Sequence, residues 1–334
     1  MSIKKIISKI AALGMTAAIV ATMGIAALAD EVTTPAYKQD GSITKTLAVA
    51  ENVTVPNISF AYTVAAGTAI TASEGQNEVY AGSATGLSIA TINFATTDDT
   101  GLAAETITKT STISVVEEYT KPGIYNYVVT ETPTLVDGVS AETRTISVDV
   151  YVVRGENGFV VDGILCYENG SKTDFDADLT YVTNTLTIKK VLSGNQADMN
   201  STWQMNLALT NTDADNAPIT IVNNGVSEAV SASYTLGHNG TVTIYGLTAN
   251  DTFNVVETLQ NTDGYTTTYE LDEAESTADA VTAVGTADHT VVVTNDKSVT
   301  TPTGIVLTYG PYVLIALAAV VVGFFFLRKK NTAE

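Results

Sequence analysis

Short apolar runs with a period of two, set apart by Gly, Asn, Asp and Thr, fill the middle of the chain. Ile58 to Val64, Tyr125 to Thr130, Arg144 to Arg154, Phe159 to Tyr167, Thr241 to Leu247 and Thr290 to Thr294 each read as a strand. The reason is that alternate side chains of an extended segment face the same way. Helical periodicity is nearly absent, so the pattern predicts an all-β protein built of sandwiches. The stretch Val182 to Gly194 joins two of them almost without a linker, with Val182, Asn184, Leu186, Ile188 and Lys190 on one parity. That row mixes aliphatic side chains with an amide and an ammonium. Burying either without a partner costs several kcal/mol.

The same irregularity recurs. Ile43, Lys45, Leu47 and Val49 share a face, as do Tyr125, Tyr127, Val129 and Glu131, then Phe253, Val255 and Glu257, and finally Val291, Val293 and Asn295. Each half of the chain therefore reads Lys, Glu, Asn on inward parity: Lys45, Glu131, Asn184, and Lys190, Glu257, Asn295. Desolvation lowers a lysine pKa and raises that of a carboxyl, so burial can set a neutral amine beside a protonated acid. Such an amine is a nucleophile toward the Asn carboxamide. The Glu can polarise the carbonyl and move protons while ammonia leaves, giving a Lys–Asn isopeptide bond. The plainer reading makes each lysine snorkel at a strand end and each Asn cap a turn. Two triplets in one order on apolar parity favour the cross-link, and two bonds would remove about 34 Da as ammonia.

The stretches ITKTLAV at Ile43, KPGIYNYVVTET at Lys121, YENGSKTD at Tyr167, TNTLTIKKVLSG at Thr183 and VVETLQNTDGYTT at Val255 carry a resemblance. The chain resembles the streptococcal pilin isopeptide-linkage family, the FctA-like backbone pilins of Gram-positive bacteria. The resemblance implies two tandem Ig-like β-sandwich domains, the second of collagen-adhesin B type. It also implies cross-links Lys45–Asn184 and Lys190–Asn295 assisted by Glu131 and Glu257. The expected divisions are a signal peptide over 1–29, a first domain over 30–186, a second over 187–299, and a sorting tail over 300–334. Gly67 to Gly101 is expected to form a surface excursion.

The ends agree with export. Lys4, Lys5 and Lys9 precede an apolar run and an Ala27-Leu28-Ala29 cleavage site, the layout of a secretory signal. Ile305 to Leu327 is long enough to span a bilayer and is followed by Arg328, Lys329 and Lys330. With Pro302-Thr303-Gly304 just before it, the tail is similar to a cell-wall sorting signal. A sortase would cut between Thr303 and Gly304 and pass the Thr303 acyl group to an amine. Thr300 and Thr301 stand where Leu and Pro are usual, which leaves the sortase class open. YENGSKTD resembles the family's segment bearing the intermolecular lysine, so Lys172 is the expected acceptor and Lys38 the runner-up.

Charge narrows the partners. The chain has 16 Lys and Arg against 36 Asp and Glu, a formal net charge of −20. Leader and tail hold six of the basic residues, so the mature segment is more acidic still. Such a surface repels nucleic acid and anionic membranes. The lone Cys166 excludes an internal disulfide and reads as a small buried hydrophobe. His238 and His289 are too few for a triad or a zinc site, and NTDADNAP, with Asp213, Asp215 and Asn216, reads as a solvated turn. No cofactor, no metal and no enzyme activity beyond self-cross-linking is expected. The expectation is a secreted pilus subunit whose partners are sortase, identical subunits, minor or tip pilins and peptidoglycan, with the membrane met only by the precursor. The alternative is a monomeric wall-anchored adhesin or minor pilin.

Overall fold

A computed structural model describes residues 41–99, 103–277, 280–299 and 311–321. The signal segment, Lys38, Thr303 and Gly304 lie outside the described residues. Residues 311–321 are helical and belong to the apolar run of the tail. Among the described residues, no helix is long and apolar enough to cross a membrane.

Two units of strand follow one another. The first unit opens with β1 (Ser42–Val49) and β2 (Ile58–Ala66), then the short strands β3 (Val79–Ala81), β4 (Leu87–Ser88) and β5 (Ile92–Phe94). It continues through β6 (Glu105–Thr112), β7 (Ser114–Val115), β8 (Gly123–Pro133), β9 (Arg144–Gly155), β10 (Gly158–Glu168), β11 (Ser171–Thr173) and β12 (Ala177–Thr180). One sheet runs β12-β1-β6; the facing sheet runs β11-β10-β9-β8-β2-β5, with β3 also paired to β8. The Gly67 to Gly101 excursion thus supplies β3, β4 and β5 and a 3-10 turn at Thr96–Asp98. The two sheets enclose Ile43, Leu47, Phe60, Phe94, Tyr127, Val129, Ile146 and Val148, all close to fully buried. These are the inward positions of period-two runs, as in β1, where exposed or half-buried residues alternate with buried ones.

The second unit runs β13 (Asn184–Ser193), β14 (Trp203–Thr210), β15 (Thr220–Asn223), β16 (Val226–Glu228), β17 (Ser233–Leu236) and β18 (Thr241–Leu247). After these come β19 (Thr252–Glu257), β20 (Thr266–Leu271), β21 (Ala274–Ser276), β22 (Thr282–Ala283) and β23 (His289–Asp296). A sheet ordered β16-β15-β18-β13-β23-β20-β21 faces one ordered β17-β14-β19-β22. Leu186, Ile188, Met205, Leu236, Ile244 and Val293 fill the space between them.

The junction differs from its sequence reading. Val182 and Asn184 do not extend a single inward row into Lys190. Tyr181 N–H donates to Ala48 O and closes the first unit, Val182 N–H donates to Gly138 O, and Val182 is exposed. Gly138 has φ +81°, and a Cβ there would sit 2.5 Å from the Val182 carbonyl, so this turn requires glycine. β13 then begins at Asn184, wholly within the second unit. The chain passes from one sandwich to the other between Tyr181 and Asn184, ahead of the expected division at 186/187.

The units also touch through side chains and backbone outside the covalent connection itself. Ala217 of the second is packed into the first unit's core, Thr54 and Thr220 share a hydroxyl hydrogen bond of 2.9 Å, and Asn57 N–H donates to Asn216 O. Asp137 N–H donates to Asp213 Oδ2 at 3.0 Å, and Thr212 Oγ1 donates to Asp137 Oδ2 at 3.0 Å. NTDADNAP is therefore an inter-unit contact, where the sequence suggested a solvated turn.

Candidate cross-link sites

In the second unit the three inward polar residues converge. Lys190 lies on β13, which runs parallel to β23 in a register that sets Lys190 beside Val293 and Asn295 two positions further on. Both share the inward face because two residues is one strand period. Glu257 reaches the pair from the last position of β19 in the facing sheet. Lys190 and Asn295 are fully buried and Glu257 nearly so. Lys190 Nζ donates to Glu257 Oε2 at 2.6 Å, and Asn295 Nδ2 donates to Glu257 Oε1 at 2.8 Å. The carboxyl thus holds the amine with one oxygen and the amide with the other. The Asn295 carbonyl oxygen is buried with no hydrogen-bond partner. Tyr269 Oη accepts from Glu257 N–H, fixing the end of β19, and the Trp203 ring lies 5.5 Å from Lys190 Nζ.

Burial pushes the Lys190 ammonium below its ordinary pKa, partly opposed by the hydrogen bond and charge of Glu257. The physical origin is the loss of water around a charge that the apolar lining cannot solvate. A lysine biased toward the neutral amine, a carboxyl bridging amine and amide, and an unsatisfied amide carbonyl are the parts that aminolysis of a carboxamide needs.

The first unit assembles two of its three expected residues. Lys45 is fully buried on β1, and its Nζ lies 2.9 Å from both carboxylate oxygens of Glu131 on β8. It also donates to the carbonyl of Phe175 and lies 4.8 Å from the centre of the Phe60 ring. Burial again lowers the lysine pKa, with Glu131 opposing. The neighbouring Tyr62 hydroxyl is pushed upward by burial and by the charge of Glu131.

Asn184 is not at this site. β1 pairs parallel with β12 so that Ala177 stands beside Lys45. Asn184 lies seven positions beyond Ala177, up to about 23 Å along an extended chain. Its amide instead donates to Gly285 O at 3.1 Å in the second unit. The expected Lys45–Asn184 pairing is absent here, because the strand row that parity extends through Tyr181–Thr183 stops there and Asn184 begins β13 of the second unit.

Lys172 sits on β11 opposite Tyr167 of β10, on the exposed side of the sheet edge, with a pKa lowered by partial burial. Cys166 is buried and its thiol is pushed up to about 12, chiefly by desolvation. His238 Nδ1 accepts from Leu192 N–H, and His289 bridges Asp272 and Val284 O. Among the described residues, no group of three His, Cys, Asp or Glu is arranged to hold a metal ion.

Two all-β sandwiches in tandem, each with a lysine and a glutamate paired in its core, define the class of structure. Residues 41–179 match the family described as Spy0128-like isopeptide containing domain, and residues 184–297 match a domain of unknown function, DUF7601. The chain is 26% identical over 314 residues to a pilin of Streptococcus pyogenes serotype M1, covering 87% of this chain and 90% of that protein. In fold it is similar to the major pilin T3.2 from Streptococcus pyogenes serotype GAS13637, with a TM-score of 0.53 and 23% identity. That match covers 77% of this chain and 98% of the other. The Streptococcus pyogenes major pilin crystal structure is similar at a TM-score of 0.50 and 24% identity, over 78% of this chain and all of that one. The first unit thus carries the FctA-like isopeptide-domain match, and the chain is similar to a streptococcal pilin over most of its length.

Proposed function

We propose that this protein is the structural subunit of a covalently polymerised cell-surface pilus, with an isopeptide bond between Lys190 and Asn295 closing its second unit. The observation that carries the reading is the buried Lys190, Glu257 and Asn295 arrangement, in which one carboxyl spans amine and amide. The neutral Lys190 Nζ attacks Asn295 Cγ, Glu257 moves the released proton to Nδ2, and ammonia leaves. The product bond is neutral, which removes a charge that burial makes expensive.

Polymerisation is proposed to run through sortase. Thr303 is joined to Lys172 of the next subunit, and the finished polymer is passed to peptidoglycan. An acceptor amine must be reachable and partly deprotonated, and Lys172 at the sheet edge is accessible with a lowered pKa. Minor or tip pilins would cap the fibre, and the precursor alone would meet the membrane. The adhesin alternative has no specific observation in its favour. Co-expression of the full chain with its cognate sortase tests the proposal: a ladder of high-mass species that survives boiling in detergent is expected. The ladder should collapse to a single band in Lys172→Ala. A single anchored band from the unaltered chain would reject polymerisation, and an undiminished Lys172→Ala ladder would reject that acceptor.

A further inference from the structure

The second unit defines what a cross-linking site needs, and the first unit can be measured against it. In the second, the acceptor amide stands two positions beyond the residue that faces the lysine across a parallel pair: Lys190 faces Val293, and the amide is on Asn295. In the first, Lys45 faces Ala177, and two positions further on is Leu179. The other inward residues bordering this stretch are Ala177 itself and Phe175. None of the three has a carboxamide or a carboxylate.

The acids on the same segment are turned away. Asp176 and Asp178 are exposed, and Asp176 Oδ1 accepts from Thr44 N–H at 2.6 Å on the outer side of β1. On the other flank of β1, Lys45 is registered against Lys109, whose ammonium pairs with Asp98 at 2.5 Å. Asn126, on the same strand as Glu131, gives its amide to Ser147 and Asp149. Asn184 is committed to Gly285.

The lysine itself is arranged differently in the two units. Lys190 Nζ has Glu257, which in turn holds an amide. Lys45 Nζ donates to Glu131 Oε1 and to the Phe175 carbonyl, and Glu131 Oε2, 2.9 Å from the ammonium, is left without a hydrogen bond of its own. Glu131 thus faces the ammonium as an ion-pair partner and holds no amide in turn, and among the described residues the register places no carboxamide beside Lys45 Nζ.

We infer that the first unit is closed by a permanent Lys45–Glu131 ion pair and never by a covalent bond, so that the chain cross-links itself once, in the second unit only. The inference rests on the reading of Lys190, Glu257 and Asn295 as a cross-linking set. The chain would then join an irreversibly closed sandwich to one that opens and recloses.

Trypsin distinguishes the two lysines directly, because it cuts after a free lysine and not after one joined through Nζ. The mature chain isolated from cells is denatured, digested and mapped by mass spectrometry. Expected are quantitative cleavage between Lys45 and Thr46, and a branched peptide joining Lys190 to the Asn295 segment with a loss of about 17 Da. Lys45 recovered in a branched peptide, with an Asn by loss of ammonia or an Asp by loss of water, overturns the inference. Cleavage after Lys190 would instead sink the cross-link of the second unit, and the Lys45 site is read independently in the same digest.

Discussion

Asn295→Ala isolates the contribution of the proposed Lys190–Asn295 bond, because it removes the acceptor amide and leaves the 2.6 Å pair of Lys190 and Glu257 in place. The proposed bond would close a loop of about 105 residues, which on the chain-entropy treatment of cross-links stabilises the folded unit by about 4.7 kcal/mol. The lost Asn295 to Glu257 hydrogen bond adds about 1 kcal/mol. A unit of about 115 residues melts with an entropy near 0.24 kcal/mol/K, so the melting temperature should fall by about 20 to 25 °C. The chain has one tryptophan. Trp203 lies in the second unit's core beside Lys190, so its fluorescence follows that unit alone. Thermal melts of the mature chain and the variant, with intact mass to confirm that the variant retains its ammonia, give the comparison. A Trp203 transition that moves by less than about 5 °C would refute the argument that a covalent closure of this loop stabilises the unit.

Other substitutions separate ion pair from cross-link. In the Asn295→Ala chain Lys190 stays ionisable with a lowered folded pKa, so the unfolded state binds the extra proton as pH approaches 10.5 from below. Stability read by Trp203 should therefore rise with pH in that window, and a fall would contradict the direction of the shift. Glu131→Ala strands a buried ammonium and should destabilise the first unit by about 3–5 kcal/mol, whereas Lys45→Met with Glu131→Leu should be close to neutral. Calorimetry in which the double variant loses as much as the single one would count against the ion pair as the element at stake. With its thiol pKa at about 12, Cys166 should resist iodoacetamide at pH 8 in the folded chain and react readily in urea. Rapid labelling of the folded protein would show that the thiol is not held in the core.

The period-two pattern was sufficient for the all-β class and for the inward lysines and glutamates, because a buried charge in an apolar row is visible wherever the row itself is regular. Lys45, Glu131, Lys190, Glu257 and Asn295 are all buried as their parity suggested. The pattern failed where the row was interrupted. Between Tyr181 and Asn184 nothing in the side chains announces that one strand has ended and another begun; the signal lies at Gly138, distant in sequence, whose positive φ accommodates the Val182 carbonyl. Parity alone therefore places Asn184 in the wrong sandwich. That Ala177 and Leu179, and no carboxamide, stand opposite Lys45 was equally hidden, since it depends on the register between β1 and β12, which are separated by more than 120 residues in sequence. NTDADNAP misled for a related reason: Asp213 is polar and local in appearance, but its partner, Asp137, belongs to the other unit.

The pinned waist between the sandwiches has a consequence for any filament made from them. Thr54 with Thr220, Asn57 with Asn216, and Asp137 with Asp213 and Thr212 bind the two bodies in addition to the short covalent connection, while Ala217 plugs one into the other. Pivoting about the connection would break these contacts together, so each subunit should behave as one stiff segment. Flexure of the filament would then concentrate at the joints between subunits, giving a chain of rods whose persistence length reports the linkage and not the sandwich.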